Sequence, residues 1–167
     1  LARWRCSKYG DISPIEFIPI LEKSGLIIQF GRWIFFNAAS QCKAWCEYNP
    51  DFKMSINLSY LQLLDTGLVL FIENTLKNLE LSPASITLEL TETYLVTEEH
   101  FVDETLNSLK RLGIQIAMDD FGVGYSSLAS LKNTPADIVK IDKGFVNGIA
   151  KDIFNSTFIR ADLQVVF

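Results

Sequence analysis

Cysteine is scarce in this chain of 167 residues: Cys6, Cys42 and Cys46 are all there is. An odd number without framework spacing excludes a disulfide-stapled scaffold and points to a reducing compartment. Cys42 and Cys46 stand four apart in a helical stretch and read as two small buried thiols sharing a face. Histidine occurs once, at His100, too far along the chain to complete a zinc site with them. Basic residues are outnumbered, 15 Lys and Arg against 20 Asp and Glu, for a net charge of −5. That excludes a nucleic acid held by neutralising its backbone, so neither DNA nor RNA is expected as a partner. No run of 18 apolar residues occurs; the best candidate, Leu26 to Ala39, is interrupted by Gln29 and Arg32. With no signal peptide either, the segment is expected to be cytoplasmic and to make no membrane contact itself, though its parent protein could be membrane-anchored. Linkers, internal repeats and low-complexity tracts are missing too.

What remains is 49% hydrophobic, the balance of a globular domain long enough for one sizeable core. Ser13-Pro14-Ile15-Glu16 reads as a capping box that opens a helix stopped by Gly25. A second helix fits Leu26 to about Tyr48 and is ended by Asn49-Pro50-Asp51. Alternation predicts strands near 53–59, 86–92, 114–119 and 138–142. Between them, helices are predicted over Leu68 to Leu79, from Thr97 to a Gly113 cap, and over Ser126 to Lys132. Four strands separated by helix-length segments imply parallel βα units, in an open sheet or in half of a TIM-type barrel.

The acids fall in a telling place. Asn57, Glu89, Glu92, Asp119 and Asp120 lie in or at the C-terminal ends of predicted strands, as do Lys140 and Asp142. In parallel α/β folds that edge binds ligands. A carboxylate within Ile-Thr-Leu-Glu-Leu is costly unless paired, and acids converging from several strands call for a divalent cation. Amide and carboxylate oxygens suit Mg²⁺ or Mn²⁺ better than zinc. Singly, each residue has a plainer reading. Asp119-Asp120 could start a turn, Glu89 could be solvated, Asn57-Leu58-Ser59 could cap a helix, and Lys140 could pair with Asp137 or Asp142. Gly122-Val123-Gly124 is a weak phosphate-loop signal and is better taken as a loop over the site.

Taken in order, these segments resemble the successive motifs of the EAL domain. They are Asn57-Leu58-Ser59, Leu88-Glu89-Leu90-Thr91-Glu92, Asp119-Asp120-Phe121-Gly122-Val123-Gly124-Tyr125-Ser126-Ser127-Leu128 and Lys140-Ile141-Asp142, with Ile12-x-Pro14-x-x-Phe17-Ile18-Pro19 ahead of them. The likeness runs from Leu1 to about Asp152 and implies a partial EAL domain over 1–167. The implied fold is α/β, part of a modified (β/α)8 barrel with parallel strands and outer helices. The implied activity is a cyclic di-GMP phosphodiesterase that linearises the dinucleotide to pGpG with Mg²⁺ or Mn²⁺.

The resemblance also assigns roles. Asn57, Glu89 and Asp119 would ligate one metal, and Asp119 and Asp120 a second. Asp120 and Lys140 would be catalytic, Lys140 at the attacking water or the phosphate. Arg3 and Asp142 would bind substrate, and Glu92 would anchor the loop Phe121 to Ser127. Val123 stands where the family usually has Thr. Leu1 would be the last letter of the E-A-L signature, so the signature glutamate and a later glutamate ligand would lie outside these residues. The chain alone is therefore expected to be inactive, and marginal, aggregation-prone or oligomeric, a homodimer included, with Ile56, Leu88, Ile116 and Val139 facing inward and poorly covered. The rival expectations are a degenerate EAL module that binds cyclic di-GMP or a protein partner without catalysis, and an unrelated acidic metal-binding hydrolase.

Overall fold

Strands and helices alternate through the computed structural model, which describes residues 2–91, 100–121 and 135–141. An antiparallel hairpin, β1 (Trp4–Cys6) with β2 (Gly10–Ile12), leads into α1 (Pro14–Lys23) and the long α2 (Ile27–Cys46). Then come β3 (Met54–Asn57), the single turn α3 (Tyr60–Leu63) and α4 (Leu68–Asn78). A 3-10 turn (Pro83–Ser85) precedes β4 (Ile86–Thr91), α5 (His100–Leu112), β5 (Gln115–Phe121) and β6 (Ile138–Ile141). The four long-range strands form one sheet in the order β3-β4-β5-β6, and every neighbouring pair is parallel. That is the order and direction predicted for them, and with their helices they make a partial barrel wall.

Among the described residues, the helices pack on one face of the sheet. Ile56, Leu58, Ile86, Leu88, Leu90, Ile116 and Met118 form a continuous core with Phe35 and Ala39 of α2, Ile72 and Leu76 of α4, and Leu106 and Leu109 of α5. This corrects one expectation. Ile56, Leu88 and Ile116 are buried under helices rather than left bare, and Val139 packs against the same core. Because side chains alternate along a strand, the opposite face carries Ser55, Asn57, Thr87, Glu89 and Asp119 instead. The face turned away from these helices is thus the polar side of the sheet.

Local signals mostly act where the residues suggest. α1 and α5 are followed by Gly25 and Gly113, both at positive φ, and the Asp51 N–H donates to Asn49 Oδ1 at 3.2 Å after α2. The capping box at Ser13 does not form. The Ser13 side chain makes no capping bond; its carbonyl accepts from the Glu16 and Phe17 amides. The reciprocal reach appears at Ser59, whose N–H donates to Gln62 Oε1 at 3.2 Å at the start of α3. The Ser59 hydroxyl also donates to Glu22 Oε1 at 2.6 Å, tying α1 to the loop after β3.

Gly31 makes this junction possible. A Cβ at Gly31 would lie 1.9 Å from Gln62 Nε2 and 2.4 Å from its Cδ. Gln62 is buried and held by the Ser59 amide, so it has little room to yield. Gly31→Ala should therefore destabilise the chain by about 1–3 kcal/mol despite the better helix propensity of alanine. A urea midpoint unchanged or raised in this variant would contradict the close approach.

Cys42 is fully buried, and burial together with the Cys46 thiol pushes it up to about 11. It should resist alkylation by iodoacetamide at pH 8 until the chain unfolds, while Cys6 and Cys46 are modified first. Mass mapping of the labelled peptides would check this order.

Candidate active site

Glu89 is the anchor. It lies in the middle of β4, between Leu88 and Leu90, and only 8% of its side chain is exposed. The solvated reading of Glu89 is thereby overturned, and an isolated charge there would be strongly disfavoured. Lys140 of β6 supplies the partner, its ammonium donating to Glu89 Oε1 and standing 3.8 Å from Asp119 Oδ2 of β5. Burial acts to raise the Glu89 carboxyl. The hydrogen bond from Lys140, that from Ser55, the Lys140 charge and the Asp119 contact outweigh it and hold the carboxyl below its ordinary value of 4.5.

Three adjacent strands bring these groups together. Asn57 is the register partner of Glu89, so the two share the polar face at the C-terminal end of β3. Asp119 pairs with Thr91, two residues further along β4 than Glu89 and on the same face. Past Met118 the β5–β6 ladder slips, and the irregularity falls on Asp119 and Asp120. Asp120 has φ 55, in the left-handed region, and its amide donates to Asp119 Oδ1 at 3.1 Å. A bulge at a strand end re-aims the side chains there, which a plain turn start does not require. Asp120 is exposed beside Asp119.

The remaining sequence-derived candidates are dispersed. Lys140 does not pair with Asp137, whose carboxylate holds Lys110 at 2.7 Å and accepts the Ile116 amide at 2.9 Å. Arg3 is exposed ahead of β1 and donates to the Ala2 carbonyl at 3.3 Å; the hydrogen bonds among the described residues do not bring it to Glu89. Glu92, Asp142 and the stretch from Gly122 to Leu128 lie outside the described residues. Ser59 is the N-cap of α3, whereas Asn57 belongs to the strand. Ser55 is a site residue that the sequence reading passed over, and strict alternation from Asn57 would have found it.

The donor set fits a hard divalent cation. Two carboxylates from neighbouring strands already close on a positive charge, the Lys140 ammonium, and an amide side chain stands beside them on β3. Among the described residues no three His, Cys, Asp or Glu side chains share one point, so a cation here would draw on Glu89, Asp119 and the neutral Asn57. No described helix is long and apolar enough to cross a membrane.

Known proteins agree with this architecture. The EAL domain family model matches residues 1–166. MucR of Pseudomonas aeruginosa, a bifunctional diguanylate cyclase/cyclic di-GMP phosphodiesterase, is 38% identical over 162 residues, which is 96% of this chain and 24% of MucR. The cyclic di-GMP phosphodiesterase PdeR of Escherichia coli is 33% identical over 165 residues, 99% of this chain and 25% of PdeR. The chain therefore spans about a quarter of the length of these curated relatives. The structure of the PaMucR phosphodiesterase in complex with c-di-GMP superposes with a TM-score of 0.85 and 38% identity, over 95% of this chain and 65% of that one. The EAL enzyme Bd1971, bound to cAMP and cyclic di-GMP, gives a TM-score of 0.87 at 31% identity, over 98% and 46%. By its sequence and its fold, the chain belongs to the EAL domain family.

Proposed function

We propose that the chain is the greater part of a cyclic di-GMP phosphodiesterase domain that opens the dinucleotide to pGpG at the C-terminal edge of the sheet. The observation that carries this is the closure of Glu89 and Asp119 on the Lys140 ammonium at that edge, within an EAL-family fold. The relatives MucR and PdeR bear the same activity in their names, which supports the substrate. Bound Mg²⁺ or Mn²⁺ would supply an activated water and charge stabilisation at phosphorus. In this reading Asn57, Glu89 and Asp119 would hold one ion, and Asp119 and Asp120 would hold a second. Lys140 would donate to the phosphate or the attacking water. Arg3 and Asp142 bind the nucleotide, the first suited to phosphate by its fork of donors, and Glu92 anchors the loop Phe121 to Ser127. A cytoplasmic setting and a homodimer belong to the same proposal.

Hydrolysis belongs, in this reading, to a complete barrel, since the chain covers 65% of the PaMucR phosphodiesterase chain that it superposes on. The test is product analysis with Mn²⁺. The longer protein carrying this domain should form pGpG, and the 167 residues alone should not. Formation of pGpG by the 167 residues, abolished by Asp119→Ala, would overturn the whole-barrel requirement. A longer protein that binds cyclic di-GMP and leaves it intact would favour a degenerate binding module.

A further inference from the structure

A second place in the fold gathers metal-type ligands, and it lies at the other end of the sheet. Cys42 and Cys46 sit one turn apart at the C-terminal end of α2, with their sulfurs 3.9 Å from one another. Around them stand the Ser85 carbonyl, 3.7 Å from Cys42 Sγ, the Phe52 carbonyl, 3.6 Å from Cys46 Sγ, and the Ser85 hydroxyl, 4.0 Å from Cys46 Sγ. Ser85 directly precedes β4, so the cluster lies at the N-terminal end of that strand, away from Glu89 and Asp119.

Three features suit this cluster to a cation. The last turn of a helix carries partial negative charge from its unpaired carbonyls, and Cys46 is the last residue of α2. Lys43, the nearest basic side chain on that turn, is held elsewhere, donating to the Glu80 carbonyl at 3.1 Å. The spacing of the sulfurs also fits. Two thiolates at ~2.3 Å from one trigonal or tetrahedral ion stand ~3.8–4.0 Å apart. Trp45 packs edge-on against Phe52 at 5.0 Å and fixes the chain after α2 over the pair.

We propose that Cys42 and Cys46 form a binding site for a single thiophilic cation of the copper(I) class, with the Ser85 hydroxyl as a weak third ligand. Soft sulfur ligands select such an ion, which is satisfied by two or three of them. Zinc is disfavoured because a closed zinc site takes four ligands, and no third Cys, His, Asp or Glu joins the pair among the described residues. On binding, each thiol gives its proton to solvent and forms one sulfur–metal bond. The product is a bis-thiolate complex with no change of oxidation state.

The test titrates the Cys6→Ser chain anaerobically with copper(I) against a chelator of known affinity. One ion per chain should be retained, and Cys46→Ser and Cys42→Ala should each weaken retention at least 100-fold, with far-UV circular dichroism confirming that they fold. A second measurement needs no substitution at the pair. One equivalent of copper(I) should slow iodoacetamide labelling of Cys46 at least tenfold while Cys6 in the unsubstituted chain labels as before. Copper left wholly with the chelator, labelling of Cys46 that copper does not slow, or retention unchanged in the Cys42→Ala, Cys46→Ser double variant would each overturn the site.

Discussion

Glu89→Ala, made in the longer protein that carries this domain, should lower the rate of pGpG formation by about three orders of magnitude or more. The size follows from the position of the carboxylate. Glu89 is buried between two apolar neighbours and shares the polar face with Asp119 of the adjacent strand. In the proposed site, removing it takes away one of the two anionic ligands to the first metal ion. A metal ion at such a site contributes several kcal/mol of charge stabilisation, equivalent to about 10³ in rate. The loss should fall on kcat more than on KM, since Arg3 and Asp142 are the residues assigned to the nucleotide. Saturating Mn²⁺ should restore little, because the ligand is absent rather than weakened. Asn57→Ala should cost less, as it removes a neutral donor from the edge of the cluster. A Glu89→Ala protein within tenfold of the unsubstituted rate would remove Glu89 from the site.

How much of this could be read from the residues alone depends on how long each pattern runs. β3, β4, β5 and β6 were predicted within two or three residues of their observed ends, and their parallel order follows from the intervening helices. The hairpin of β1 and β2 leaves almost no mark in the sequence, because two three-residue strands display almost no alternation. Its Arg5–Asp11 pair, at 2.9 Å and well exposed, adds little stability to mark it. The polar groups at the strand ends were legible for a physical reason. An acid within an apolar strand has few explanations, and pairing with Lys140 is the one that the fold supplies. The inward and outward faces were reversed because an apolar residue in a strand says that it is covered without saying by what. Alternation alone sets Ser55, Asn57 and Glu89 opposite Ile56 and Leu88, and the three-dimensional structure adds which of the two faces the helices cover. The bulge at Asp119 and Asp120 was hidden for a similar reason, since it depends on how β6 pairs and not on β5 itself.

Lys140→Met, in the metal-free chain, should destabilise the fold at neutral pH and reverse its response to acid. In the unsubstituted chain the folded Glu89 carboxyl lies below its ordinary value of 4.5. It therefore contributes stability above that value, and the contribution is lost as pH falls through the lower folded value. Without the ammonium both lowering effects of Lys140 are lost, and burial, the largest single influence, is expected to outweigh the remaining Ser55 and Asp119 contacts and raise the folded carboxyl above its unfolded value. The buried charge then opposes folding at pH 7, and protonation relieves it as pH falls towards the carboxylate range. Stranding one partner of a fully buried pair costs about 3–5 kcal/mol. Lys140 is 39% exposed, so solvent screening reduces the expected loss to about 1–3 kcal/mol. Urea midpoints at pH 7 and pH 4.5 provide the check. The difference between the variant and the unsubstituted chain should be large at pH 7 and small at pH 4.5. The same substitution leaves Glu89 and Asp119 facing each other with no cation between them, so Mn²⁺ should bind the variant more tightly than the unsubstituted chain, where it must displace the ammonium. Weaker Mn²⁺ binding by a folded Lys140→Met chain would show that the lysine supports the metal site rather than competing for it.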